Sequence, residues 1–226
     1  MITWDTVDTV LLDMDGTLLD LCYDNTLWST LLPARFGAAR GMSLGDARQH
    51  LFSHMGETRG QLQFYCLDYW ATFTGLDIIA LHHELAGLIA YRPNVPEFLT
   101  WLTGSGKRSL LVTNAHRDSL AVKHAHSGLA HRLDAVISSH DFGAPKESQV
   151  FWQQLMRAHP FDPARTLLID DNDAVLDAAA DYGIVHLLNI EQPDSGRPAR
   201  QNLGRLALKD FRDITPTAPK VAVASP

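Results

Sequence analysis

Short apolar runs recur along the chain, and two of them stop abruptly at paired acids. Val10-Leu11-Leu12 runs into Asp13-Met14-Asp15-Gly16-Thr17, and Thr166–Ile169 runs into Asp170-Asp171. Near-continuous apolar runs of this length are the pattern of parallel strands covered on both faces. Ser109–Thr113, Ala135–Ser138 and Ile184–Ile190 predict three more strands, and Leu206–Arg212 one further short element. Helical periodicity fills the intervals. Pro96 opens a helix over Glu97–Ser105, ended by Gly104 and Gly106. Arg117–His126 stops at Gly128, Lys146–Ala158 ends before Pro160, and Ala174–Asp181 stops at Gly183. Strands alternating with helices predict an α/β fold, a central parallel sheet built from right-handed crossovers and flanked by helices.

The texture changes between residues 20 and 91. Helical-period runs dominate there: Thr26–Leu32, Ser43–His54, Gln61–Phe73 and Ile78–Ala90, punctuated by Gly56, Gly60 and Gly75. Ser43 followed by Asp46 is an N-cap signature. The pattern predicts a helical subdomain (20–91) inserted after the first strand of a core made of residues 1–19 and 92–214. The last residues, 215–226, hold three prolines and small side chains, the composition of a disordered tail.

Composition narrows the function classes. A hydrophobic content of 46% supports a sizeable core. A net charge of −7 without a long basic run argues against nucleic-acid or anionic-membrane partners, but not against a small anion, because a bound cation reverses the local field. Two cysteines, Cys22 and Cys66, make no disulfide framework and no CxxC pair. The first residues show no basic region followed by an apolar stretch, and no apolar run reaches membrane length, so a soluble cytoplasmic protein is expected. Among the eleven histidines, His50/His54, His82-His83 and His124/His126 lack the partners of a metal site and read as solvated or core residues. His116 is expected near the entrance of a site after the second strand.

Four places carry candidate chemistry: Asp13/Asp15, Thr113-Asn114, Lys146 and Asp170/Asp171. Each alone has an ordinary reading as turn, strand, helix-end or capping chemistry. Together they gather at the carboxyl edge of one sheet, where open α/β folds place ligands. Closely packed carboxylates repel unless a cation intervenes. An all-oxygen donor set favours Mg²⁺, and a magnesium site beside an ammonium and a hydroxyl suits a phosphate group.

These segments resemble, in order and spacing, the four motifs of the haloacid dehalogenase superfamily in its phosphatase branch. The resemblance covers the chain to about Pro193 and implies a Rossmann-like core with a small helical cap. It implies that Asp13 is the nucleophile, forming an aspartyl-phosphate, and that Asp15 is the general acid and base. Gly16 permits the sharp exit and Thr17 orients Asp15. Mg²⁺ is held by the Asp13 carboxylate, the Asp15 carbonyl and Asp170-Asp171, with Asp171 at the usual ligand position and Asp170 either a second ligand or its support. Thr113 and the backbone around Asn114 hold phosphate oxygens, and Lys146 neutralises both phosphate and Asp13. The dehalogenase branch needs no acid at the Asp15 position and no magnesium. The segments Asp8–Leu21, Tyr65–Trp70 and Thr113–His116 are more closely similar to purine 5′-nucleotidases of this superfamily, which implies GMP or IMP as the small-molecule substrate. The aromatic run Phe64–Trp70 reads either as core of the insert or as a source, with Trp28, of a ring that stacks on the base. A phosphatase or phosphomutase acting on a sugar phosphate or other small phosphometabolite, and a ligand-binding regulatory protein on the same fold, are the alternatives.

Overall fold

A computed structural model describes residues 2–216; of the expected tail, 215–226, Thr215 is instead anchored to Phe211 O, and residues 217–226 lie outside the described residues. The described residues form a six-stranded, all-parallel sheet in the order β3-β2-β1-β4-β5-β6, with β1 Thr9–Leu12, β2 Arg108–Thr113, β3 Ala135–Ser138, β4 Thr166–Ile169, β5 His186–Ile190 and β6 Ala207–Leu208. The short element expected near Leu206 is the edge strand β6 and a 3₁₀ turn, Phe211–Asp213.

Alternation along each strand covers both faces. Val10, Leu12, Leu111, Leu167 and Ile169 pack on one side with Phe98 and Leu102 of α6 (Val95–Gly104) and Leu120 of α7 (Arg117–Ser127). Leu11, Leu110, Val112 and Leu168 face the other side, against Phe151, Trp152 and Leu155 of α8 (Gln149–Ala158) and Val175, Leu176 and Ala179 of α9 (Asp173–Tyr182). β1 lies between β2 and β4, in register Leu12↔Leu111 and Leu12↔Ile169. Strand order turns outward in both directions from this point, so three strand ends converge at the switch point.

Between β1 and α6 the chain forms α1 (Cys22–Thr26), a π-turn (Leu27–Leu31), α2 (Leu32–Arg40), α3 (Leu44–Thr58), α4 (Leu67–Thr74) and α5 (Ile78–Glu84). Leu32, Phe36, Leu51, Leu67, Trp70 and Ile78 make a third apolar cluster drawn entirely from this insert. Its two ends meet: Asp20 N–H donates to Ala90 O at 2.9 Å. Ser43 caps α3, accepting from Asp46 N, as its pattern predicts. The run expected over Gln61–Phe73 is instead a 3₁₀ turn, Leu62–Tyr65, broken at Cys66 before α4 begins; the run expected to Ala90 leaves α-geometry after Glu84. Helical periodicity cannot register such breaks, because a 3₁₀ turn keeps side chains on nearly the same face. No helix among the described residues is long and apolar enough to cross a membrane.

Candidate active site

Asp13 and Asp170, the residues after β1 and β4, come together with Asp171 at the end of the sheet. Asp13 N–H donates to Ile169 O at 3.0 Å, which holds the first residue beyond β1 against the end of β4. Carboxylate oxygens of Asp13, Asp170 and Asp171 lie within 4.8 Å of one another. Lys146 is buried between two of them, donating to Asp13 Oδ1 at 2.5 Å and Asp170 Oδ2 at 2.7 Å, with a third bond to Val112 O at 3.0 Å. The helix expected from Lys146 begins three residues later, at Gln149, capped by Ser148. Lys146 therefore sits on a turn, and the Asn114 side chain holds that turn: Oδ1 accepts from Lys146 N at 2.9 Å and Nδ2 donates to Glu147 Oε2 at 3.0 Å. That leaves the Asn114 backbone, rather than its amide group, to face a ligand.

Three carboxylates around one ammonium leave excess negative charge in a buried place. Burial first, and the neighbouring carboxylates next, push Asp171 well above the usual carboxylate range. Burial pushes Asp13 up to about 7, with Lys146 opposing and Asp170 and Asp15 adding to the rise. Burial likewise raises Asp170 against the pull of Lys146. Lys146 itself is raised, because its carboxylate partners outweigh its own desolvation. Asp171 accepts no side-chain hydrogen bond among the described residues, although Asp170 accepts from both Lys146 and Asn172 N. Such a set of hard oxygen donors, short of positive charge, fits a magnesium ion. Gly16 makes room for the Asp171 carboxylate. Its φ is +83°, and a Cβ built there would meet Asp171 Oδ2 at 2.7 Å, so only glycine combines this turn with so close an approach.

Asp15 stands apart from the oxygen cluster and faces Lys123 of α7. Lys123 Nζ lies 2.7 Å from both Asp15 Oδ1 and Asp24 Oδ1; the hydrogen bond is to Asp24, and the approach to Asp15 is an ion pair off the hydrogen-bond direction. The Thr17 hydroxyl is buried without a hydrogen-bond partner, so the expected Thr17–Asp15 contact is absent. Lys123 occupies that place. Thr113 is buried at the end of β2, its hydroxyl accepting from Ala115 N at 3.0 Å.

A cavity of about 670 Å³ runs from Asp13, Asp15, Thr113 and Lys146 into the insert, past Trp28, Met55, Arg59, Phe64, Tyr65 and His82. That is ample for a small phosphorylated metabolite. Trp28 and Tyr65 line it, but Tyr69 does not: its hydroxyl pairs with His54 Nε2 and its ring lies against His54. Trp28 and Ser29 belong to the π-turn, a geometry that re-aims helical side chains. His82 lines the wall with Nδ1 2.7 Å from the Tyr23 hydroxyl and Nε2 unpartnered; burial holds its pKa down to about 3, so the ring is neutral.

Lys123, Asp24, Glu147, Arg200 and His82 belong to none of the four motifs. Lys123 alone carries a local signal: it lies on the buried face of α7 with Ser119, Leu120 and Val122, where an unpaired charge is too costly to persist. Arg200 reaches the site from the β5–β6 connection, donating to Asp171 O at 2.8 Å and Asn189 Oδ1 at 2.6 Å. Lys123→Met is expected to lower kcat about tenfold or more, since positioned proton transfer contributes about 10²–10⁴-fold, and to weaken the fold by about 3 kcal/mol through the two unpaired carboxylates. Adding Asp24→Asn should recover stability without recovering kcat. Steady-state kinetics and urea unfolding check both.

The sequence pattern of the haloacid dehalogenase-like hydrolases matches residues 7–183. The chain belongs to this family. It is therefore an enzyme of the hydrolase class, and the parallel sheet with motifs at the ends of β1, β2 and β4 and on the turn before α8 is the family's fold. It is 44% identical over 216 residues to the GMP/IMP nucleotidase YrfG of Escherichia coli K12, covering 96% of this chain and 97% of that one, and equally so to YrfG of Shigella flexneri. Among solved structures, a HAD phosphatase from Thermococcus onnurineus superposes with a TM-score of 0.77 at 18% identity, covering 92% of this chain and 96% of that one. The L-2-haloacid dehalogenase of Xanthobacter autotrophicus superposes at 0.63 with 15% identity, covering 92% and 97%. Phosphatase and dehalogenase share this fold, so the architecture by itself does not select the reaction.

Proposed function

We propose that this hydrolase is a Mg²⁺-dependent phosphomonoesterase, acting as a 5′-nucleotidase on purine nucleoside monophosphates, with GMP and IMP as substrates. The observation that carries the reaction class is the presence in one cavity of a buried carboxylate, Asp13, held by Lys146, and a second acid, Asp15, held by Lys123. A dehalogenase has no leaving oxygen to protonate and no use for Asp15. The nucleotide assignment draws on the 44% identical GMP/IMP nucleotidase and on the aromatic cavity wall.

Asp13 attacks phosphorus and forms an aspartyl-phosphate. Asp15 gives its proton to the departing ribose oxygen, then removes one from the water that cleaves the acyl phosphate. Lys146 and Thr113 hold phosphoryl oxygens, with the backbone near Asn114. The Asp13 and Asp171 carboxylates and the Asp15 carbonyl would hold the metal, with Asp170 fixing Lys146; such an ion would supply positive charge to offset that of the phosphoryl group. The insert acts as the cap over the nucleoside. Tyr65 Oη donates to Glu147 Oε1 at 2.6 Å, linking insert to core beside Lys146.

Phosphate release from GMP, IMP, AMP, pyrimidine nucleotides and sugar phosphates, with Mg²⁺ and with chelator, tests this reading. Turnover of the 6-oxopurine nucleotides that chelation abolishes is expected; preference for a sugar phosphate would overturn the nucleotide assignment, and undiminished turnover in chelator the metal. The raised carboxylates give the pH dependence a sign. Asp13, pushed up to about 7, retains a proton near neutrality that the ion must displace, so affinity for Mg²⁺ rises with pH through about 7. The gain in Tm produced by Mg²⁺ should be larger at pH 8 than at pH 6.

A further inference from the structure

A second set of metal-ligating atoms lies outside the carboxylate cluster. Cys66, between the 3₁₀ turn and α4 of the insert, meets His116, the N-cap of α7, and His140, in the turn after β3. One ligand atom from each lies within 4.8 Å of the others. Residues 66, 116 and 140 are far apart in the chain, which is why no spacing motif marks them. The two rings are packed edge to face with centroids 4.9 Å apart. Cys66 is a free thiol, and His140 Nε2 is buried without a hydrogen-bond partner, an orphan that a native fold rarely leaves unexplained. From these observations we infer that Cys66, His116 and His140 form a binding site for a borderline transition-metal ion of the zinc class, distinct from the magnesium site.

The donor chemistry separates the two sites. One thiolate and two imidazoles select zinc-like ions and exclude Mg²⁺, whereas the carboxylates of Asp13 and Asp171 are hard oxygen donors. Typical Zn–S and Zn–N bonds place ligand atoms about 3.5 Å apart in a tetrahedral shell, so small side-chain rotations from separations within 4.8 Å close it. Burial, and then the neighbouring His116, hold the His140 pKa below its ordinary value, which keeps the ring neutral with a lone pair to give. Water completes the shell, as at other sites with three protein ligands.

Occupancy has a mechanical effect. Tyr65 and Leu67 flank Cys66 and line the cavity from the insert; Asn114, Ala115 and His116 line it from the core. An ion bound here staples the two walls together and retards passage of nucleotide and nucleoside. The site is therefore inhibitory.

Co²⁺ is the probe, titrated into the full chain in excess Mg²⁺. A thiolate-to-cobalt charge-transfer band that saturates at one equivalent is expected, retained in Cys22→Ser, and lost in Cys66→Ser. His140→Asn should weaken Co²⁺ binding by at least about tenfold, the loss that even a supporting residue causes at a metal site. One equivalent of Zn²⁺ should slow Mg²⁺-supported phosphate release by the parent chain and leave Cys66→Ser unaffected. Absence of the band, a band that survives Cys66→Ser, or equal zinc inhibition of that variant overturns the proposal. The spectral measurement needs no substrate, so it stands or falls separately from the nucleotidase assignment.

Discussion

Asp13→Asn should abolish turnover, by about 10⁴-fold or more, as expected when a nucleophile is removed, while leaving the fold intact or strengthening it. The second half of this expectation follows from charge. Asp13 is buried among Asp170, Asp171 and a single ammonium, and its pKa is pushed up to about 7. The neutral amide keeps the volume and removes one repulsive charge. In the absence of metal the variant should therefore melt at the parent temperature or above it. Phosphate release and thermal unfolding, measured on the same preparation, check both halves; parental turnover would remove Asp13 from the mechanism. Function here is expected to work against stability.

Lys146→Met should do the reverse. The side chain is nearly the same length, but the Asp13 and Asp170 carboxylates lose the cation that lies 2.5 Å and 2.7 Å from them. Breaking a buried pair from one side costs about 3–5 kcal/mol. The deficit should vary with pH in a definite direction. A carboxylate whose folded pKa is raised favours the folded state at low pH and loses that advantage as pH climbs to the folded value. Without the lysine these pKa values move further up. The variant should be closest to the parent near pH 5 and furthest from it above pH 7, and Mg²⁺ should return part of the loss. Denaturant unfolding at pH 5 and pH 8, with and without metal, measures this; a deficit independent of pH would show that lost packing dominates. Turnover should fall as well, since no other ammonium among the described residues pairs with Asp13.

How much of this was legible in the sequence depends on the distance over which each feature is encoded. The strand ends were legible because a four-residue apolar run followed by acids is local, and because β1 must lie centrally for its neighbours to bring Thr113 and Asp170 beside Asp13. The stops at Gly128 and Gly183 were legible because both glycines adopt the left-handed conformation that ends a helix. The start of α8 was misplaced by three residues, since Lys146 and Glu147 suit a helix by propensity but are held in a turn by Asn114, a residue 32 positions away. Arg200 and Glu147 gain their place only through tertiary contacts, and nothing near them in the chain marks it. Thr17 was assigned a hydrogen bond that Lys123 replaces with an ion pair, since a motif names neighbours in sequence and the buried face of α7 supplies a neighbour in space.

The hydrogen bond between Asp20 and Ala90 closes the insert at its base. A chain segment whose two ends are pinned side by side can be lengthened at little cost, about 0.6 kcal/mol for each doubling of a flexible loop. The sheet does not register what hangs from that point. Drift among residues 21–89 can thus reshape the cavity wall while the strand ends at Asp13, Thr113 and Asp170 stay as they are. Appetite and reaction can evolve on separate clocks within one short gene product.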